Sequence, residues 1–443
     1  MEPAERRVAF HTFGCKLNQF ESEALASSFR AKGFVVVRAD EEADVYVVNT
    51  CTVTSRADHK ARSLIRGLAR ENPRAPLLVT GCSAQMEALA LSALAANVVV
   101  IPQSEKSRLL ALPGTLAKTL DAGDDPAARL RNSLKAGPPG DPFAATVTDF
   151  SFHTRAFLKI QDGCDCHCAY CRVPLARGQS VSLDLEEVLR RAAELESHGR
   201  REIVLTGVNI SAWRASGTNL PGLLRRLLRA TSRARFRLTS IEPESITDEL
   251  AEALADTRVC AHFHIPIQSG SDPVLDRMRR RYRAVQVREG VRLLREARGD
   301  PFIAADLLVG FPGETVDDFC ATRKLVLECD LAALHVFPFS PRPGTAAASM
   351  NPVVPERIRR ERVRTLAALS QELSSAYTRR WVGREVDVLL EGKSGTRTQG
   401  VSGNYLRVAV NGAPVEAVPG RMVRAALNIG YPTCAARFLG FVD

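Results

Sequence analysis

Three cysteines at short spacing stand out in the middle of the chain. Residues 164–171 read Cys-Asp-Cys-His-Cys-Ala-Tyr-Cys, and Cys164, Cys168 and Cys171 form a C-x3-C-x2-C triplet. Three thiolates at this spacing fit a compact loop around three corners of a cubane 4Fe–4S cluster. Full ligation takes four cysteines, so one iron would keep an open position for a substrate. The alternative, a zinc knuckle, is disfavoured because no second ligand pair follows at zinc-finger spacing.

Three further cysteines, far apart in the sequence, each come at the end of a predicted strand. Isolated cysteines are commonly small buried core residues. The carboxyl ends of strands in open α/β sheets, however, form ligand crevices. The repeated placement therefore favours a second three-thiolate cluster over buried core cysteines. The three are Cys15 after Val8–Phe13, Cys51 after Val45–Thr50, and Cys82 after Leu77–Thr80 and Gly81.

Helices alternate with the strands that carry these isolated cysteines. Ser55–Arg70 reads as an amphipathic helix, and Asn18 with Glu21 looks like a capping box for a helix that closes near Gly33. Such alternation is typical of a parallel sheet covered on both faces. The sequence therefore predicts an N-terminal open parallel α/β domain over residues 1–120.

The central triplet lies in a segment of repeated β/α units. Residues 121–148, rich in Asp, Gly, Pro and Ala, read as a linker before it, and the stretch 136–142 cannot be regular helix or strand. Six β/α units predict a partial (β/α)6 barrel over 149–375, with chemistry at the carboxyl ends of its strands. The triplet follows the first of them. Predicted strands are 156–160, 202–206, 236–241, 261–267, 303–309 and 333–338, and predicted helices are 184–198, 220–231, 246–255, 271–298 (broken) and 314–328.

Glycine-containing turns follow the later strands of this predicted barrel. Each turn by itself is most often a plain strand-to-helix connection. Glycine lets a backbone approach a ligand closely, so several such turns on one rim with the cysteine triplet predict a ligand pocket. The turns are Thr206-Gly207, Ser240 to Glu242, Gln268 to Ser271 and Gly310 to Glu314.

Short β-type runs separated by Gly and Asn turns end the chain and predict a small antiparallel β-barrel over 376–443. Basic residues lie there among Tyr377, Trp381 and Tyr405, a combination that suits phosphate contacts and base stacking in RNA. The alternative is an ordinary solvated barrel with Trp381 in its core. The runs are Glu385–Leu390, Thr398–Val401, Leu406–Val410 and Met422–Leu427, and the candidate RNA contacts are Arg384, Lys393, Arg397, Tyr405 and Arg407.

Composition limits the possible classes of protein. The chain has 443 residues, 45% of them apolar, which is enough for two or three domains with their own cores. A net charge of +10 favours a polyanionic partner, although an arginine-rich surface without a partner would give the same number. Eleven cysteines in so long a chain do not indicate a secreted disulfide framework. The start lacks the apolar core of a signal peptide and no apolar run approaches about 18 residues, so we expect a cytosolic protein.

Several motifs give the chain a family resemblance that covers nearly its whole length. They are Phe13-Gly-Cys-Lys-Leu-Asn-Gln-Phe-Glu-Ser-Glu23, Asn49-Thr-Cys-Thr-Val-Thr54, Thr80-Gly-Cys82, the central cysteine triplet, His264-Ile-Pro-Ile-Gln-Ser-Gly-Ser271, Gly310-Phe-Pro-Gly-Glu314 and His335-Val-Phe-Pro-Phe-Ser-Pro-Arg-Pro-Gly-Thr345. Together they resemble the methylthiotransferase family of radical S-adenosylmethionine (SAM) enzymes. That family has an N-terminal three-cysteine domain, a radical SAM domain and a C-terminal RNA-binding TRAM domain.

The resemblance implies two 4Fe–4S clusters and SAM as cofactors. One cluster, on Cys164, Cys168 and Cys171, would take an electron from a reduced flavodoxin or ferredoxin and cleave SAM bound at its open iron. The other would hold a sulfur, supplied by a sulfur donor and methylated by a separate SAM, for transfer to C2 of a modified adenosine just 3′ of the anticodon in tRNA. The auxiliary cluster ligands are then Cys15, Cys51 and Cys82, and the candidate SAM contacts are Tyr170, Thr206, Gly207, Ser240, Glu242, Gln268, Asp306 and Gly310.

The residues around the first two isolated cysteines are similar to one branch of the family. Lys16, Asn18-Gln19, Glu21-Ser-Glu23 and Thr52-Val-Thr54 resemble the branch that acts on N6-threonylcarbamoyladenosine. The alternatives are a methylthiotransferase for isopentenyladenosine in tRNA or for an aspartate of a ribosomal protein, and an iron–sulfur RNA-binding protein without enzymatic activity.

The chain also departs from the family pattern at a few positions, none of which is a predicted cluster ligand. His167 replaces an aromatic residue, Cys166 is an extra thiol, Ser182-Leu183 stands where Ser-Arg is common, and Ile101-Pro102 replaces a glycine-containing turn.

Overall fold

The structure, a computed structural model, describes residues 5–52, 54–121, 125–134, 140–394, 397–431 and 434–442. Val53 and most of the stretch 136–142, both used in the sequence analysis, lie outside these described residues. The chain divides into two units. The first comprises Met1–Phe152, Asp162–Asp165 and Cys171–Val181, and the second comprises His153–Gln161, Cys166–Tyr170 and Ser182–Asp443. The four domain ranges expected from the sequence stay predictions.

Strands alternate with helices in the N-terminal part of the first unit. The strands are β1 (Arg6–Thr12), β2 (Phe34–Val37), β3 (Val45–Thr50), β4 (Leu77–Gly81) and β5 (Val98–Val100). The helices are α1 (Lys16–Arg30), α2 (Ser55–Glu71), α3 (Cys82–Met86), α4 (Ala88–Ser92), α5 (Lys106–Leu109), α6 (Leu112–Asp121) and α7 (Pro126–Ser133).

These strands form a parallel sheet in the order β2-β1-β3-β4-β5. In its register Thr12 pairs with Asn49, and Thr50 pairs with Gly81. Three adjacent strands, β1, β3 and β4, therefore end at the same edge of the sheet. The predicted open parallel α/β fold of this region is confirmed.

Apolar side chains cover both faces of the sheet. One face packs against α1, α6 and α7, and the other packs against α2. Helix α7 lies inside the predicted linker 121–148, where Asp125 caps it by accepting hydrogen bonds from the backbone of Ala127 and Ala128. Ala127 and Leu130 are fully buried in the core. Part of that predicted linker is thus a packed helix. Its composition suggested a linker, but its apolar face is buried in the core.

The predicted capping box at Asn18 and Glu21 is wrong. Helix α1 begins at Lys16 with Cys15 at the N-cap position, so Asn18 already lies in the first turn. The Asn18 side chain instead donates to the backbone oxygens of Phe13 at 2.8 Å and Thr50 at 3.0 Å. The Asn18 side chain therefore bonds to residues at neighbouring strand ends and does not cap its own helix.

Further strands and helices follow between residues 156 and 381. The strands are β6 (Ala156–Lys159), β7 (Gln161–Asp162), β8 (Val181–Ser182), β9 (Glu202–Thr206), β10 (Arg214–Ala215), β11 (Thr218–Asn219), β12 (Arg235–Leu238), β13 (His262–Gln268), β14 (Phe302–Val309) and β15 (Ala333–Pro338). The helices are α8 (Val173–Arg177), α9 (Leu185–Ser197), α10 (Leu220–Ala230), α11 (Asp248–Leu254), α12 (Asp272–Arg277), α13 (Ala284–Arg298), α14 (Val316–Glu328) and α15 (Glu356–Trp381).

The second unit contains the predicted partial barrel. Strands β6, β9 and β12 pair in parallel, as do β13, β14 and β15. A parallel bridge between Ser240 and His264 joins the two sets, so the strands follow one another in chain order. The long helix α15 was not predicted; it crosses the predicted boundary between 375 and 376, and its many charged residues hid its one buried stripe.

The C-terminal part of the second unit is a closed β-barrel. Its strands are β16 (Glu385–Ser394), β17 (Arg397–Ser402), β18 (Arg407–Asn411), β19 (Met422–Ile429) and β20 (Cys434–Phe441), closed in the order β16-β17-β18-β20-β19. Strand β20 was not predicted, because small residues and glycine weaken its strand signal; pairing with both β18 and β19 stabilises it. In the described part of the chain, no helix combines the length and apolar character needed to cross a membrane.

Candidate functional site

The three isolated cysteines lie where adjacent strands end. Cys15 caps α1 directly after β1, Cys51 follows β3, and Cys82 opens α3 directly after β4. Cys51 and Cys82 are buried, whereas Cys15 is exposed. The fold therefore brings together the cysteines that the sequence analysis grouped.

Two glycines allow neighbouring segments to approach closely at this edge of the sheet. Gly14 has φ +108°, and a Cβ there would lie 2.7 Å from Cβ and 3.0 Å from Sγ of Cys51. Gly81 has φ +99°, and a Cβ there would lie 2.2 Å from the Thr50 oxygen. Positive φ and the absence of a side chain are both required at these positions. The glycines thus let the segment after β1 approach Cys51 and let the end of β4 approach the end of β3.

A buried network of charges lies beside these cysteines. Glu21 forms an ion pair with Lys106, and the Arg177 guanidinium contacts Glu21 at 3.0 Å and Asp162 at 3.0 Å. Burial lowers the pKa of Lys106, although Glu21 opposes the shift. Burial also works against the charge of Arg177, but Asp162 and Glu21 outweigh it and hold its pKa well above the ordinary value. Cys82 makes a smaller contribution that raises the pKa of both Lys106 and Arg177.

The first unit also contains both ends of the central cysteine triplet. The Cys164 amide donates to the Gly178 oxygen at 3.1 Å, and the Val173 amide donates to Sγ of Cys171 at 3.4 Å. A Cβ on Gly163 would lie 1.8 Å from the Gln179 oxygen, so the chain turns tightly just before the triplet. An amide aimed at a sulfur is a group that favours a thiolate or a cluster ligand.

The middle of the triplet belongs to the second unit. Arg280 donates to Sγ of Cys168 at 3.2 Å and forms an ion pair with Glu242. Burial raises the pKa of Glu242 to about 7, and Arg280 opposes this rise. The extra thiol, Cys166, accepts from Nδ2 of Asn209 at 3.7 Å. A cationic donor at Cys168 fits its predicted role as a ligand.

Buried polar atoms without a hydrogen-bond partner lie at one candidate SAM contact, Thr206, and at Asn209, which was not predicted. Within the described residues, Oγ1 of Thr206 has no hydrogen-bond partner and Oδ1 of Asn209 accepts no hydrogen bond. A Cβ on Gly207 would lie 2.9 Å from the Gln161 oxygen. Tyr170, from the cysteine loop, makes an edge-to-face contact with Phe311, the residue after Gly310. Unpaired buried polar atoms are uncommon, so this rim fits a polar ligand.

A chain of polar side chains crosses β13, β14 and β15. Ser240 Oγ lies 2.7 Å from Nδ1 of His264, whose Nε2 lies 3.0 Å from Oδ1 of Asp306, and His335 Nδ1 lies 3.3 Å from the same oxygen. Burial works to raise the pKa of Asp306, but the hydrogen bonds from the two histidines outweigh it and hold the pKa at about 2. Ser240 and Asp306 were predicted as SAM contacts, and the structure places both in this ionised network.

Two other predicted SAM contacts show backbone features of a binding loop. Gln268 ends β13 at φ +61°, and Gly310 has φ +73° with Arg359 packed where a Cβ would stand. The carboxylate of Glu314 accepts from the backbone amides of Gly310 and Phe311. This carboxylate therefore fixes the turn after β14.

The predicted RNA contacts whose side chains the structure describes, Arg384, Tyr405 and Arg407, have different surroundings. Arg384 and Arg407 are exposed, and the Arg384 guanidinium lies 5.2 Å from the centre of the Trp381 ring. Tyr405, expected to stack on a base, instead stacks on His262 with ring centres 4.0 Å apart and lies near Arg237. The side chains of Lys393 and Arg397 lie outside the described part of the structure.

Sequence reasoning missed the charged residues that hold the cysteine segments in place. Arg172 and Arg177 follow the triplet, Lys106 follows β5, and Arg280 lies in a run of arginines. The sequence feature that could have identified them is a basic residue next to a cysteine motif or within an apolar stretch. That signal is weak, because surface arginines are common in this chain and only the fold shows which are buried.

Comparisons with known proteins agree with this architecture. Residues 7–101 match the model described as "Uncharacterized protein family UPF0004", and residues 158–326 match that of the radical SAM superfamily. The crystal-structure neighbour TsrM, a radical S-adenosylmethionine methyltransferase from Kitasatospora setae with tryptophan substrate and a SAM analog bound, has a TM-score of 0.55 at 18% identity, covering 78% of this chain and 75% of that one. This likeness shows the fold alone.

Curated relatives extend over most of the chain. A threonylcarbamoyladenosine tRNA methylthiotransferase MtaB from Treponema pallidum is 39% identical, covering 87% of this chain and 91% of the relative. The Bacillus subtilis protein of the same name is 36% identical, covering 98% and 97%. A tRNA-2-methylthio-N(6)-dimethylallyladenosine synthase from Cereibacter sphaeroides is 35% identical, covering 97% and 98%.

Identity of this extent over whole chains, with both cysteine triplets in their expected strand-end settings, establishes the relationship and the cofactors, which are SAM and two 4Fe–4S clusters. The chain belongs to the radical SAM tRNA methylthiotransferase family.

Proposed function

We propose that this enzyme adds a methylthio group to C2 of N6-threonylcarbamoyladenosine, just 3′ of the anticodon in tRNA. The observation that carries the substrate is the end-to-end similarity, at 36–39% identity, to relatives named for that nucleoside. The residues after Cys15, among them Asn18 and Glu21, support it, because they resemble the branch of the family that acts on that nucleoside.

Two sets of ligands are proposed for the two clusters. Cys164, Cys168 and Cys171 would hold the cluster that binds SAM, and Cys15, Cys51 and Cys82 the auxiliary cluster. Bound there, the clusters and SAM supply the one-electron chemistry and the sulfur that an aromatic C–H needs, because such a carbon has no acidic proton for a base to remove. The donors at Cys168 and Cys171 and the glycines beside Cys51 support this assignment.

The remaining roles belong to side chains that bind and orient. The rim formed by Tyr170, Thr206, Gly207, Gln268 and Gly310 would hold SAM, with the Glu242–Arg280 ion pair beneath the cysteine loop. Exposed arginines, Arg384 and Arg407, would contact tRNA phosphates, which agrees with the net charge of +10. A reduced flavodoxin or ferredoxin would deliver the electron, a separate donor would deliver sulfur, and a tRNA substrate would place the enzyme in the cytoplasm.

Nucleoside analysis of tRNA tests this proposal. A strain that lacks the gene should lose the methylthio derivative of N6-threonylcarbamoyladenosine in its tRNA, as measured by mass spectrometry, and keep the unmethylthiolated nucleoside. The wild-type gene should restore the derivative, whereas a Cys168→Ala gene should not. An unchanged nucleoside profile would refute the assignment.

The dimethylallyl nucleoside is the second candidate substrate. It is favoured by the relative from Cereibacter sphaeroides, which covers almost the whole chain at 35% identity. The same mass spectrometry separates the two, because each substrate gives a methylthio product of its own mass.

A further inference from the structure

The segment that follows Cys171 is tied to the segment that follows Cys51. Arg172 donates from Nη1 to the Thr52 hydroxyl at 3.0 Å and to Glu87 at 3.1 Å. Both Arg172 and Thr52 are buried. Each is the next residue after a proposed ligand, so this hydrogen bond joins the neighbour of Cys171 to the neighbour of Cys51.

A second tie lies five residues further along. Arg177 donates from Nη2 to Oδ1 of Asn18 at 2.9 Å. Asn18 in turn donates to the oxygens of Phe13 and Thr50, which come shortly before Cys15 and Cys51. Two ties on the same short segment fix both its position and its rotation.

Arginine is a costly choice for these buried positions. Burying a guanidinium costs several kcal/mol unless it is paired and fully hydrogen-bonded, and an apolar side chain would pack without that cost. The planar fork of arginine offers fixed directions for several hydrogen bonds, which is a means of orientation. Nε of Arg172 is buried and has no hydrogen-bond partner among the described residues.

We propose that Arg172 and Arg177 are positioning residues that hold the Cys171 segment against the strand ends bearing Cys15 and Cys51, so that SAM cleavage stays coupled to methylthio transfer. The inference rests on the proposed function and deepens it. Both arginines would act through the cysteine segments that they contact. A shift of about 1 Å between reacting groups can cost about a hundredfold in rate, so losing these ties would leave SAM cleavage that is not followed by transfer.

Thr52→Val is the sharpest test, because it removes only the hydroxyl that Arg172 contacts. Arg172→Met removes the guanidinium and leaves Glu87 paired with Arg62. In both variants we expect wild-type iron content and SAM cleavage without tRNA. The ratio of 5′-deoxyadenosine formed to tRNA methylthiolated should rise roughly tenfold or more. Thr52→Ser should restore the wild-type ratio, and Thr119→Val, which removes a buried hydroxyl in α6, should not change it.

The magnetic interaction between the two reduced clusters, measured by electron paramagnetic resonance, is a second readout. It should change in Thr52→Val and Arg172→Met but not in the two controls. A wild-type ratio and spectrum in Thr52→Val would overturn the proposal, as would a defect of Arg172→Met confined to lost iron. If the wild-type enzyme modifies a different nucleoside, only the proposed function fails, because the ratio is then measured on that product and the spectrum does not depend on it.

Discussion

Two buried carboxylates, each held by two cations, occupy different regions of the molecule. Glu202 in the second unit is bound by Arg235 and Arg237, each at 2.6 Å. Glu21 in the first unit is bound by Lys106 and Arg177. Both networks are almost wholly shielded from solvent. Their chemistry is alike, yet their surroundings differ.

In the Glu202 network, the guanidinium groups also donate hydrogen bonds to backbone oxygens. Arg235 donates to the oxygens of Asp387 and Val401, and Arg237 donates to the oxygens of Ser402 and Gly403, all in the C-terminal barrel. Burial works to raise the pKa of Glu202, but Arg237 and Arg235 outweigh it and lower the pKa. This closed set of hydrogen bonds fixes the barrel to the strands β9 and β12.

The Glu21 network instead borders cysteines. Cys82 makes a smaller contribution that raises the pKa of both cations of this network, and its arginine reaches Asn18 at the strand ends. The comparison teaches that buried ion networks in this protein have two settings: one joins pieces of backbone, and the other lies beside the cysteines proposed to hold the auxiliary cluster. The two settings predict different consequences when the carboxylate is neutralised.

The largest loss of stability is expected for Glu202→Gln. It leaves two buried guanidinium groups without their counter-charge, which should cost about 3–5 kcal/mol of unfolding free energy. Anaerobic thermal unfolding measures the effect. Glu249→Gln, which removes an exposed partner of Arg225, is the control and should cost less than about 1 kcal/mol. Equal effects of the two variants would show that the Glu202 network does not join the barrel to the strands.

Neutralising the other carboxylate should act mainly on iron. Glu21→Gln should lose the auxiliary cluster, about four of about eight irons per chain, while its SAM cleavage survives. It should also lose about 1–3 kcal/mol of stability, because Lys106 keeps a buried charge without its partner. Iron and sulfide analysis after anaerobic reconstitution measures the first effect.

The stability of the Glu21→Gln variant should also depend on pH. Burial lowers the pKa of Lys106 in the folded protein, and loss of Glu21 lowers it further. The unfolded chain then binds the Lys106 proton more tightly than the folded one, so the stability of the variant should rise with pH. The double variant Glu21→Gln with Lys106→Met should lose this dependence; a slope that persists there would assign it to another group.

Exposed arginines of the barrel should affect tRNA binding without affecting stability. Arg407→Ala and Arg384→Ala should each weaken binding and lower the slope of log affinity against log salt by about one, as expected for a lost phosphate contact. Arg292→Ala, on the helix α13 with Glu289 and Glu296, is the matched control. Tyr405→Leu, by contrast, should reduce stability, because its ring packs on His262. A large effect of Tyr405→Leu on binding alone would restore its predicted role in stacking.

The smallest effect is expected for Cys166→Ser. Cys166 lies inside the cysteine triplet and accepts a hydrogen bond from Asn209. Alternate residues in so tight a loop cannot all reach one cluster, so iron content and SAM cleavage should stay near wild type. Loss of SAM cleavage in this variant would identify Cys166 as a ligand or as a structural necessity of the loop.

The positions of the cysteines at strand ends could be predicted because they depend on local patterns. Val45–Thr50 and Leu77–Gly81 each begin with several apolar residues, and a cysteine directly after each strand is visible in the sequence. The partial barrel followed from the same regularity. Elements with weak periodicity, such as β20 and the charged helix α15, could not be found this way, since partners distant in sequence stabilise them.

The sequence by itself determined which side chains could bind clusters, the α/β and β-barrel architecture, and the family. It did so because thiolates at set spacings and buried strands leave local signatures. Only the tertiary structure decided which of many arginines are buried, that Asn18 bridges strand ends rather than capping a helix, and that Tyr405 packs inside the second unit. Hydrogen-bond direction and burial depend on neighbours from distant parts of the chain, and no local pattern records them.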